Sequence, residues 1–154
     1  MKLTDLLSPE SIKIPLEGRD KQAVIEEMVD LLIQSQQLSD RQATLDAIWK
    51  REELMSTGIG NGIAIPHGKS KGGKDLVMAF GMSPRGIGFD SLDGQPVHIC
   101  FLLVAPENVS GPHVRALARI SRLLQHNEFR QALLQCSTAE QVFQAITTEE
   151  KKHI

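Results

Sequence analysis

Residues 97–105 read VHICFLLVA, nine residues in which His98 is the only strongly polar side chain. A strand with one face in water alternates polar and apolar side chains. A run without that alternation fits a strand buried on both faces. Helices must then cover both sides of the sheet that holds it. The flanking sequence supplies them. Upstream, 76–83 (LVMAFGMS) predicts a second strand, joined to the first through a turn-rich connection, PRGIGFDSLDGQP. Residues 20–37 place Val24, Ile25, Met28, Leu31 and Leu32 on one helical stripe. A second helix follows to about Glu53, with Ser39 and Gln42 spaced as a capping box and Leu45, Ile48 and Trp49 as its apolar positions. Downstream, SGPHVRALARISRLLQHN predicts a helix capped by Ser110, with Pro112 in its first turn. Val114, Leu117, Ser121 and Leu124 share one face of it, and Arg115, Arg119 and Arg122 lie elsewhere. EFRQALLQ and TAEQVFQAI add two helical pieces, the second with Thr138 and Gln141 as a capping box. At the start, Leu3 to Leu7 predicts a short helix, and SIKIPL a short strand with Pro15 at an edge or an end. The fold class expected is α/β, one domain over 1–148 with helices on both faces of the sheet. Residues 149–154 are expected to form a polar tail that frays.

The totals agree with one domain: 154 residues, 41% hydrophobic and 23% charged. A net charge of -2 gives no electrostatic reason to expect nucleic acid or an anionic membrane as partner. No stretch approaches the roughly 20 apolar residues of a membrane helix, and MKLTDLLSPES lacks the apolar run of a signal peptide. A cytoplasmic, free-standing domain is expected. Cys100 and Cys136 lack CxxC spacing, so two buried thiols are expected rather than a disulfide. His98 and Cys100 share a strand face, but no third ligand stands at zinc spacing, and no metal site is expected. His126 suits the C-terminal end of a helix, and His153, in the tail, has no specific role in view.

The stretch most open to a functional reading is GNGIAIPHGKS, Gly60 to Ser70. A phosphate-binding P-loop needs glycine five residues before Gly-Lys-Ser, and that position is Ile63. The dinucleotide pattern fails too, because Gly58, Gly60 and Gly62 are spaced by two and lead towards a strand at GIAI. His67 remains. Pro66 fixes its own φ and restricts Ile65, which sets the backbone aim of His67, and Gly68 offers no side chain to obstruct a partner. A neutral imidazole is a nucleophile able to take a phosphoryl group. On local context this stands level with a plain turn histidine. KREELMST adds Arg51 at a helix end, with Ser56 and Thr57 after it, and arginine suits phosphate. SGPHVR adds His113 in the first turn of a helix, where N–H groups favour an anion. For each, a solvated charge or a local contact is the plainer alternative. A hydrolase with His67 as general base lacks any G-x-S-x-G or reactive cysteine context.

REELMSTGIGNGIAIPHGKS resembles the active-site region of the type 2 enzyme IIA proteins of the bacterial phosphoenolpyruvate-dependent phosphotransferase system. These comprise the fructose/mannitol class and its nitrogen-regulatory relatives. LTDLLSPESI, DGQPVHICFLLVAPE, HVRALARISRLL and FRQALL extend the resemblance over nearly the whole chain. It implies a mixed sheet sandwiched between helices. It implies His67 as phosphoryl acceptor, His113 as second active-site histidine and Arg51 as active-site arginine. Ser56, Thr57, Gly58, Gly60 and Gly68 are then the loop around the phosphate, and Met55, Ile59 and Ile63 the docking rim. The donor implied is a histidine phosphocarrier protein. The acceptor is enzyme IIB in sugar branches or a regulated target protein in the nitrogen branch, and the regulatory branch is the expectation. A non-catalytic binding module of the same fold is the alternative. No metal, nucleotide or other cofactor is required, since phosphoryl transfer is mostly positioning and charge neutralisation.

Overall fold

The structure, a computed structural model, describes residues 2–71, 75–108 and 110–153. Gly72 and Gly73 of the glycine-rich segment and Ile154 of the expected tail lie outside the described residues. Six strands form one sheet: β1 (Ile12–Lys13), β2 (Gly58–Gly60), β3 (Ile63–Ala64), β4 (His67–Ser70), β5 (Val77–Ile87) and β6 (Val97–Pro106). Five α-helices accompany them among the described residues: α1 (Lys21–Gln34), α2 (Arg41–Leu54), α3 (Gly111–Leu123), α4 (Asn127–Leu134) and α5 (Ala139–Lys152). The strand order is β1-β5-β6-β3-β2, with β4 also paired to β6. Pairing is mixed. β5 runs antiparallel to β6, whereas β3 and β4 run parallel to it, one after the other along its other edge.

Residues 97–105 are the central strand, buried throughout except at His98. The period of two decides which layer each side chain joins. Ile99, Phe101 and Leu103 pack with Ala116, Ile120, Leu123, Phe129, Val142 and Ile146 from α3, α4 and α5. Cys100, Leu102 and Val104 pack with Val24, Met28, Leu32, Leu45 and Ile48 from α1 and α2. The result is a helix–sheet–helix sandwich in which each buried aliphatic side chain contributes roughly 1.5–3 kcal/mol of hydrophobic free energy.

Several local expectations shift. The cap of α2 is Asp40, whose carboxylate accepts from Ala43 N at 2.9 Å, so the helix starts one residue after the expected Ser39 cap. Thr138 does cap α5, but Gln141 reaches back to Ser137 N at 2.6 Å, not to the cap residue. β5 continues through 84–87 across a bulge, where a turn was expected. The buried side of α3 is His113, Ala116, Ile120 and Leu123, and Val114 is exposed. The tail does not fray among the described residues. α5 runs to Lys152 because Glu150 accepts from Leu3 N at 2.9 Å and from Arg119 Nε at 2.7 Å, tying the helix to the start of the chain.

Candidate functional site

His67 opens β4, in register with Leu103 of the central strand. It begins a strand, where the sequence had predicted a turn after one. Two features carry the chain there. Asn61 and Gly62, at φ 57° and 77°, make the tight turn between β2 and β3. Positive φ at both central residues is the demand of a two-residue hairpin, and Asn-Gly meets it. Backbone bonds then hold the crossing from β3 to β4: Ile65 N donates to Thr57 O at 3.0 Å, and Leu103 N to Pro66 O at 3.0 Å.

The His67 ring is fixed by a 2.8 Å bond between Nδ1 and the Ile65 carbonyl. A carbonyl only accepts, so Nδ1 carries the proton and Nε2 keeps its lone pair. Burial and the Arg51 charge lower the His67 pKa; the Ile65 carbonyl and Glu52 work against them, and the net shift is downward. The ring is therefore neutral near pH 7. His113 lies edge-on to it, with ring centroids 5.5 Å apart at 74°. Its pKa is lowered to about 4, chiefly by burial, then by His67 and Lys69. Its Nε2 is buried and lacks a hydrogen-bond partner among the described residues. Position on the buried stripe of α3, rather than the helix start alone, aims His113 at His67.

Arg51 sits in the last turn of α2 and donates through Nη1 to Met55 O at 2.8 Å, which leaves further guanidinium N–H groups for an anion. The structure brings His67, His113 and Arg51 together at one end of the sheet. It gives the loop residues other duties than direct phosphate contact. Thr57 is buried, and its hydroxyl and N–H both donate to Glu52, the N–H at 3.2 Å. Ser56 Oγ donates to Phe89 O at 2.6 Å and accepts from Gly58 N at 3.0 Å. Gly60 needs its φ of +99°. A Cβ on Gly68 would lie 3.1 Å from α2 backbone atoms at Ala47 and Ile48, so this glycine permits strand–helix packing and does not clear a path for a partner. Ile63 is 1% exposed, a core residue rather than part of the rim, because the tight hairpin points it at the α3 layer. Met55 and Ile59 are exposed, together with Leu54 and Leu92.

Two contributors were missed. Lys69, two residues after His67 on the same strand, shares its face by the period of two, and its Nζ donates to Ser110 Oγ at 2.7 Å. Ser110 thus serves Lys69 and makes no side-chain cap for α3. Glu52 is buried and pairs with Lys21 at 2.7 Å. The signal was an acid on the Leu45–Ile48 stripe, since a buried polar position is the informative kind. Cys100 is inert: burial first, then the Glu52 charge, raises its thiol pKa far above the ordinary range.

The chain matches the family described as "Phosphoenolpyruvate-dependent sugar phosphotransferase system, EIIA 2" over residues 5–149. It is 42% identical over 151 residues to the fructose-specific EIIABC component of Bacillus subtilis, covering 98% of this chain and 24% of that protein. It therefore spans about a quarter of that relative's length. It is 35% identical over 146 residues to a nitrogen regulatory protein of Bradyrhizobium diazoefficiens, covering 95% of both. Among solved structures, nitrogen regulatory protein IIA-Ntr of Neisseria meningitidis superposes with a TM-score of 0.81 at 32% identity, covering 92% of this chain and 97% of that one. The helix–sheet–helix sandwich thus has its counterpart in a known group, and the chain belongs to the type 2 enzyme IIA family of the phosphoenolpyruvate-dependent phosphotransferase system.

Proposed function

We propose that this chain carries a phosphoryl group on His67 Nε2, received from a histidine phosphocarrier protein. The observation that carries this is the bond from Nδ1 to the Ile65 carbonyl, which leaves one nucleophilic nitrogen on a ring held neutral. In the transfer, His67 Nε2 bonds to phosphorus as the P–N bond to the donor imidazole breaks and its electron pair returns to the donor ring. The Ile65 carbonyl then stabilises the positive charge that the phosphorylated ring gains at Nδ1–H. Arg51 and Lys69 neutralise the phosphoryl oxygens, and the unpartnered His113 Nε2–H donates to one of them. Glu52 acts through Thr57 as a positioning residue, holding the loop that frames the site. Leu54, Met55, Ile59 and Leu92 form the apolar rim on which donor and acceptor dock in turn. This role makes the protein cytoplasmic, and no helix among the described residues is long and apolar enough to cross a membrane.

For the branch, we favour nitrogen-regulatory enzyme IIA, which controls target proteins according to its phosphorylation state. Similarity to the nitrogen regulatory proteins over nearly the whole chain supports it. The 42% identity to the fructose-specific relative supports the second branch, in which the group passes to enzyme IIB for sugar transport. The test is incubation with phosphoenolpyruvate, enzyme I and carrier, the sugar and nitrogen sets in separate tubes, followed by intact mass. Transfer from the nitrogen-branch carrier alone is expected. Preference for the sugar carrier moves the protein to the transport branch. If neither carrier labels it, it is a binding module of the same fold.

A further inference from the structure

At the far end of α3 from His113 lies a second group of potential ligands. His126 follows the helix, 13 residues after His113, which is about 20 Å at helical rise. The His126 and His153 rings stack with centroids 4.5 Å apart at 21°. His153 Nε2 lies 2.7 Å from Glu149 Oε2, and Glu149 is 5% exposed. One ligand atom from each of His126, Glu149 and His153 lies within 4.8 Å of the others. Among the described residues this is the one such group of three. We propose that it binds a divalent transition-metal ion, with Zn²⁺ as the natural occupant.

The chemistry selects that class. Two imidazoles and a carboxylate suit zinc or its neighbours in the first row, whereas magnesium and calcium favour oxygen-only shells. Zinc bonds of about 2.0–2.2 Å require ligand atoms about 3.3 Å apart, so the widest separation closes by up to about 1.5 Å and the His153–Glu149 pair opens slightly. The two rings are on exposed residues and turn without disturbing the core. Glu149, the one buried member, sits one helical turn before His153, so both ligands project from the same face of α5. The group is not purely anionic in its surroundings. Lys152 Nζ lies 3.7 Å from Glu149 Oε1 and 3.8 Å from Glu128 Oε2, and Arg119 and Arg122 border the same cleft. Metal binding displaces Lys152 from Glu149 and leaves it Glu128. The ion would staple the end of α5 to the α3–α4 junction, with a fourth position open to water or to a ligand from a partner.

Untagged full-length protein titrated with Zn²⁺ in a calorimeter tests this, with thermal melts alongside. One equivalent is expected, with a rise in Tm. His126→Ala and His153→Ala should each weaken binding at least about tenfold. Lys152→Ala should tighten it, a gain that misfolding cannot mimic. A control with both His67 and His113 changed to Ala should bind as the wild type does, since those rings form the other histidine pair. No binding overturns the proposal. So does binding that survives loss of both His126 and His153, or that disappears with His67 and His113 instead.

Discussion

Two pairs of histidines stand at opposite ends of α3, and their neighbours separate their chemistry. His67 and His113 meet edge to face beside Arg51 and Lys69, with no carboxylate among the described residues bonded to either ring. Burial and these cations hold both rings neutral and leave a space suited to an anion. His126 and His153 stack face to face on exposed residues, with Glu149 bonded to one of them. That pair suits a cation. An imidazole is the same group in both places. Whether it accepts a phosphoryl group or ligates a metal follows from the sign of the charges beside it and from which nitrogen is already engaged.

Breaking the first pair should have the largest effect. His67→Ala should abolish acid-labile phosphorylation altogether, as read by intact mass, while far-UV circular dichroism stays unchanged. His113→Ala should slow transfer by about 10²-fold, the order expected from removing one charge-stabilising donor. Arg51→Gln should slow transfer by about tenfold or more. It should also raise the His67 pKa, because the cation that helps lower it is gone; an NMR titration reads the shift.

The acid limb of stability sharpens the comparison further. His113 takes a proton more easily in the unfolded chain, with a pKa of 6.5, than in the folded one, at about 4. Stability is therefore whole above pH 6.5 and falls as pH drops towards 4. Chemical denaturation of His113→Gln should show a flatter slope in that window. The smallest effect concerns the solvent side of α3: Val114→Ser should change stability by less than about 0.5 kcal/mol, since Val114 is exposed.

The layers were legible because burial on both faces leaves an unmistakable pattern. Val97–Pro106 and the stripe of Val24, Met28 and Leu32 read directly as buried strand and helix. What escaped were choices between near-equal local alternatives. Ser39 and Asp40 are both good caps, and only the carboxylate is placed to bond Ala43. Val114 and His113 are neighbours, and α3 buries the polar one against the usual preference. The glycine-rich stretch showed β3 at GIAI but hid β2 and β4, though Asn61-Gly62 announced the hairpin. The histidine, its partner and the arginine could be named from motifs, but not their mutual placement. Residues linked across the fold, such as Lys69 to Ser110 and Glu52 to Lys21, meet only through the sheet and helix packing.

One measurement bears most directly on His67. Protein labelled with ¹⁵N in its histidine rings, phosphorylated by phosphoenolpyruvate, enzyme I and carrier, reports the modified nitrogen by ¹⁵N–³¹P coupling. The predicted result is coupling at Nε2 of one histidine, absent from His67→Ala, with Nδ1 still protonated against the Ile65 carbonyl. Coupling at Nδ1, or a phosphorylated histidine that persists in His67→Ala, would contradict it.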